Sequence, residues 1–131
     1  MLKLPSGLNI RNLIDNLRIY SWEACDTLLY YAQILKDSNN KINILNNGNV
    51  DDPVTLADLK VNELIIRKIN EKYKDIDWEI LSEENSKSEN YIFNKNSDWI
   101  WVLDPLDGTK DFIQGTTNYA MHLALNYKQK P

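Results

Sequence analysis

Thiols are almost absent from this chain. Of 131 residues only Cys25 is a cysteine, which excludes an internal disulfide and any cysteine-based zinc cluster and points to a reducing, cytoplasmic setting. An excess of base is missing too: 15 Lys and Arg stand against 19 Asp and Glu, a net charge of −4. Without the basic surface that supplies most non-specific affinity for polyanions, nucleic-acid polymers and anionic membranes are not expected as partners. Long apolar runs are lacking as well. No stretch approaches the ~18 residues of a membrane span, and Met1–Gly7 carries no apolar signal core, so no targeting or spanning role is expected. What remains is 43% hydrophobic and 26% charged, an ordinary globular composition for one domain with a real core.

Apolar residues recur at Leu13, Leu17, Tyr20, Ala24, Leu28, Tyr31 and Leu35, which predicts a long amphipathic helix from about Ile10 to Leu35, with a break allowed near Ser21. Cys25 is expected in its apolar stripe, and Asp15, Arg18 and Glu23 on its solvated face. A polar loop follows from Lys36 to Pro53, long for a compact domain. Ala57, Val61, Leu64, Ile65, Ile69 and Tyr73 then mark a second helix, opened by a Thr55/Asp58 capping box. Local sequence thus gives Asp58 a capping role, and Asp51 and Asp52 a turn and helix-start role. Trp78–Ser82 reads as a short strand ending in a solvated Glu83-Glu84 pair and a loop, Asn85 to Ser97. Tyr119 to Tyr127 alternates with period two and reads as another strand, on which His122, the one histidine, is taken as structural and remote from other ligand-type side chains. The terminal Gln129-Lys130-Pro131 reads as a turn into a further strand, so residues 1–131 are expected to be the N-terminal part of a longer domain.

The chemistry concentrates in Trp99-Ile100-Trp101-Val102-Leu103-Asp104-Pro105-Leu106-Asp107-Gly108-Thr109. Five large apolar residues stopped by Asp-Pro predict a strand buried on both faces, with its acids at the carboxyl end, where ligands bind in open α/β sheets. Asp104 and Asp107 flank a proline turn with the Leu106 carbonyl between them. Carboxylates and a carbonyl are hard oxygen donors suited to magnesium, which keeps positions for water and substrate phosphate. Gly108 allows close backbone approach, a helix starting here would offer free N–H groups to an anion, and Thr109 adds a hydroxyl. Together these are the parts of metal-assisted phosphate ester hydrolysis.

Similar motifs fail on spacing. A calcium-binding EF-hand counted from Asp104 would need Glu at its twelfth position, which is Gly115. Gly108-Thr109-Lys110 has the wrong order for a Walker loop. An Asp-x-Asp-Gly-Thr phosphatase of the haloacid dehalogenase type would place its nucleophile at Pro105.

Asp104-Pro105-Leu106-Asp107-Gly108-Thr109, preceded by Trp101-Val102-Leu103, resembles the signature of the inositol monophosphatase family. Pro53-Val54-Thr55-Leu56-Ala57-Asp58 and Leu81-Ser82-Glu83-Glu84 match upstream in order and spacing. Gly108–Phe112 and Asp51–Thr55 look most like the 3'(2'),5'-bisphosphate nucleotidase branch, although Gln114 departs from the basic residue or histidine of many relatives. The resemblance implies an α/β layered sandwich, two helices on a largely antiparallel sheet. It implies a lithium-sensitive phosphomonoesterase removing the 3'-phosphate of 3'-phosphoadenosine 5'-phosphate, a by-product of sulfate assimilation; inositol or sugar phosphates are the alternative substrates.

The cofactor implied is Mg2+, as two or three ions. Glu83, Asp104 and the Leu106 carbonyl would hold one ion, and Asp104 with Asp107 a second. Thr109, hydrogen-bonded to Asp58, would activate the attacking water, with no phosphoenzyme, while the Gly108 and Thr109 N–H groups hold the phosphate. Under the resemblance Asp58 and Glu83 become site residues, and Glu84 stays open. The partner implied is a small phosphate ester, with a homodimer allowed. Because relatives take a further metal-ligand Asp from a C-terminal half, this chain alone is expected to be a poor phosphatase, and a non-catalytic metal- or phosphate-binding fragment is the third reading.

Overall fold

The computed structural model describes residues 4–37, 53–89 and 97–128. Helix α1 spans Ile10–Asp37 without a break; no proline or glycine interrupts it at Ser21. It buries Leu13, Tyr20, Ala24, Leu28 and Leu35, the expected stripe. Cys25 is exposed rather than in that stripe, one step off a face already filled by Ala24 and Leu28. Helix α2, Pro53–Lys72, buries Val54, Ala57, Val61, Ile65 and Ile69. Asp15 and Arg18 are exposed as expected and pair with each other, and Glu23, with its side chain 40% exposed, also meets Lys68 of α2 at 3.0 Å and links the two helices. Most of the polar loop after α1, with Asp51 and Asp52, lies outside the described residues, as do much of the second loop and the terminal turn.

Helix α2 opens at Pro53, because proline's fixed φ and missing N–H suit the first helical position. Thr55 therefore falls inside the first turn and not at the cap position that the capping box assigned to it.

Strand β1, Glu79–Ser82, leads into a one-turn helix α3, Glu83–Ser86. The acid pair is therefore helical, not loop. Strand β2, Trp99–Asp107, is followed by helix α4, Thr109–Gln114, and strand β3, Ala120–Tyr127. The order β1-β2-β3 is mixed: β1 runs parallel to β2, and β3 antiparallel to it. Of the described strands only the β2–β3 pair is antiparallel, so the largely antiparallel expectation holds for one of two pairings.

Two features of β2 differ from expectation. It is buried on one face, not two: Trp101 and Leu103 are 2% and 1% exposed, whereas Val102 is 37% exposed. The helices cover the first face, where Leu103, Leu106 and Phe112 join α1 and α2 in the core; each such side chain contributes roughly 1.5–3 kcal/mol. Val102 pairs with Ala124, and Asp104 with His122, on the other face. Nor does Asp-Pro end the strand. Pairing resumes at Asp107 after a register shift, since proline is tolerated where a bulge removes the need for its N–H. Trp78 closes the core edge, meeting Tyr73 and Trp101 edge-to-face at centroid distances of 5.4 Å.

Candidate active site

Three short runs converge at the carboxyl ends of β1 and β2. Ser82 closes β1 and places Glu83 and Glu84 in the first turn of α3. The register shift in β2 carries Asp104, Leu106 and Asp107. Asp58 projects from the first half of α2.

Asp58 is the most perturbed of these acids. Its Oδ1 is buried with no hydrogen-bond partner. Burial foremost, then the charge of Glu84, with further contributions from Glu83 and Asp104, pushes its carboxyl up to about 7, while Lys87 opposes the shift. The Asp104 carboxyl is raised too, first by burial, then by a side-chain hydrogen bond and charge repulsion from Glu83. The Leu106 N–H, 3.2 Å from Asp104 Oδ1, works against that shift. Glu84 is held by Lys87 at 2.5 Å, and the same ammonium reaches Glu83 at 3.4 Å. One lysine thus serves three of the four carboxylates, Glu83, Glu84 and Asp58, an arrangement whose remaining repulsion a divalent cation would relieve.

Gly108 has φ +82°, a conformation costly for residues with a Cβ. A Cβ there would also run into the Asn118 carbonyl and lie 3.1 Å from Tyr119 Cα. Glycine therefore lets α4 turn back against the start of β3, independently of any phosphate. The Thr109 hydroxyl donates to the Leu106 carbonyl at 3.4 Å. It does not reach Asp58, so the structure brings Asp58 close to Glu84, Glu83 and Asp104 but leaves the Thr109–Asp58 bond unmade.

Asp107 is also turned elsewhere. It is 60% exposed at its side chain, and its Oδ2 lies 3.9 Å from His122 Nε2. His122 is therefore not remote from ligand-type groups, as period-two reading of its strand implied; the antiparallel register sets it opposite Asp104. Sequence position alone gave no sign of this, because register is a tertiary property.

Asn62 was not singled out by the sequence and belongs to the site. Buried in α2, it accepts a hydrogen bond from the Ser82 hydroxyl and donates from Nδ2 to Asn85 Oδ1 at 2.9 Å. The available signal was an asparagine one turn beyond Asp58, next to the apolar Val61, where asparagine is a poor helix former.

As donors, the carboxylates suit a hard cation. Glu83 and Asp104 are within hydrogen-bond reach, and magnesium is commonly held by one or two carboxylates with water and phosphate completing its shell. Among the described residues no three His, Cys, Asp or Glu side chains are set as a ready-made metal group. The fit therefore rests on the Glu83–Asp104 pair, which Asp107 reaches through its charge on Asp104.

The sequence pattern of the inositol monophosphatase family matches residues 21–131. The chain belongs to the inositol monophosphatase family. It is 36% identical over 81 residues to the 3'(2'),5'-bisphosphate nucleotidase CysQ of Haemophilus influenzae, covering 60% of this chain and 28% of that protein. It is 37% identical over 78 residues to the Nus factor SuhB of Pasteurella multocida, covering 60% of this chain and 27% of that one. The crystal structure of CysQ from Bacteroides thetaiotaomicron superposes with a TM-score of 0.60 at 28% identity, over 83% of this chain and 35% of that one. The chain thus spans about 28% of the length of the first of these curated relatives. The α/β fold is that of the family, and the family's members include phosphatases. No helix among the described residues is long and apolar enough to cross a membrane.

Proposed function

We propose that this chain carries the metal- and phosphate-binding half of a magnesium-dependent phosphomonoesterase site for 3'-phosphoadenosine 5'-phosphate. The observation that carries the reading is the Glu83–Asp104 carboxylate pair, assembled from two neighbouring strand ends beside the buried, unpartnered Oδ1 of Asp58. Glu83, Asp104 and the Leu106 carbonyl are the residues that would hold Mg2+, with Asp107 available to a second ion. Bound there, divalent cations neutralise phosphate charge and lower the pKa of water. The chain's own groups do the rest: the Gly108 and Thr109 N–H groups orient the phosphate, and the Thr109 hydroxyl, once turned from the Leu106 carbonyl, takes a proton from the attacking water as it passes its own to Asp58. Asp58 suits this role because its Oδ1 is buried and has no hydrogen-bond partner, which leaves it free to take a proton. A reducing, cytoplasmic setting agrees with the lone exposed Cys25.

A non-catalytic fragment that binds cation or phosphate is favoured by one observation: the Asp107 side chain is 60% exposed and lies against His122. The experiment incubates the 131-residue chain with Mg2+ and either the bisphosphate nucleotide or inositol 1-phosphate, and follows phosphate release alongside calorimetry. Slow, Mg2+-dependent release that is faster from the nucleotide is the expected result. Preference for inositol 1-phosphate would reassign the substrate, binding without turnover would favour the fragment, and absence of cation binding would overturn the site.

A further inference from the structure

We propose that Asn62 is the positioning residue of the acid cluster, setting Glu83 against Asp104 and Glu84 against Asp58. This rests on the reading of Glu83 and Asp104 as the cation-binding pair.

Helix α3 has little to hold it in place. It is four residues long, has no buried residue, and its N-cap Ser82 makes no side-chain cap bond. A single turn is unstable by itself. The Ser82 hydroxyl is instead donated to Asn62, and the Asn62 amide is donated to Asn85. One buried side chain therefore grips residues immediately before and after Glu83-Glu84. Asn62 also sits four residues beyond Asp58, so both lie on one face of α2. The same helix face carries the perturbed acid and the clamp that brings the other acids to it. Both ends of the Asn62 amide are used, as a buried polar group requires. An apolar side chain would fill the space at less cost, but would remove both bonds from α2 to the ends of α3, and the Lys87 ion pairs cannot replace them because they stay within α3 and its C-cap.

The test measures Mn2+ affinity of the 131-residue chain by electron paramagnetic resonance, with circular dichroism confirming the fold. Glu83→Gln is expected to weaken binding strongly, and Asn62→Ala and Asn85→Ala by about tenfold each, the usual effect of losing an outer partner of a ligand. Asn85→Asp keeps an acceptor for the Asn62 amide and restores affinity. Eu3+ luminescence lifetimes in H2O and D2O add a readout that stability alone does not move: Asn62→Ala raises the number of waters on the ion as Glu83→Gln does. Should Asn62→Ala unfold, Asn85→Ala decides, because Asn85 is only half-buried. Wild-type affinity in folded Asn62→Ala or Asn85→Ala, with Glu83→Gln impaired, overturns the positioning role and leaves the site reading standing. Unaltered binding in Glu83→Gln overturns both.

Discussion

Glu84, with a side chain only 13% exposed, raises the carboxyl of Asp58 more than any other charge does, although the two acids sit on different helices. The pair is tolerated because Lys87 contacts Glu84 at 2.5 Å. An acid near neutrality has consequences that can be measured without substrate.

The first is a pH dependence of stability. The Asp58 carboxyl is raised from 3.8 to about 7 on folding, so the unfolded chain releases its proton first. This contribution to stability is complete below pH 3.8, is lost as pH rises toward about 7, and is flat above that. Asp58→Asn should therefore stabilise the cation-free chain at pH 8 by about 1–2 kcal/mol, the full shift being reduced by solvent screening of a partly exposed group. Urea unfolding at pH 4 and pH 8 checks this; an equal effect at both would contradict the shift.

Lys87→Met removes the one cation that lowers the Asp58 carboxyl, which should then titrate higher still. Carboxyl-carbon NMR titration of the two proteins reads the change directly. Because Lys87 is 58% exposed, the cost in stability should stay under about 1 kcal/mol.

Gly108→Ala combines a φ of +82° with a Cβ pressed on the Asn118 backbone. A loss of about 2–4 kcal/mol in urea unfolding is expected, with binding affected only through the fold. A neutral effect would mean that α4 does not turn back against β3.

Asp104→Asn should abolish Mg2+ binding seen by calorimetry while keeping the fold, since it also removes the repulsion from Glu83. Retained binding would remove Asp104 from the site.

The two faces of β2 separate in a fifth comparison. Leu103→Ala should cost about 2–5 kcal/mol, as for a buried leucine. Val102→Ala, at a residue 37% exposed, should cost under about 1 kcal/mol. Similar losses at both positions would imply burial of both faces.

Much of the molecule follows from local pattern. The spacing from Leu13 to Leu35 specifies α1, the alternation after Tyr119 specifies β3, and the Asp104–Thr109 run with its two upstream motifs specifies the family. These are short-range properties: helical and strand periods, glycine at positive φ, and hard oxygen donors at a strand end. Tertiary structure decided what no period encodes. Register placed His122 beside Asp107, packing exposed Val102 and buried Leu103, and the approach of α2 to α3 brought Asp58 to Glu84 and Asn62 to Ser82 and Asn85. The acidity of Asp58 belongs to this second group, because desolvation and the charge of a residue 26 positions away exist only once the chain has folded.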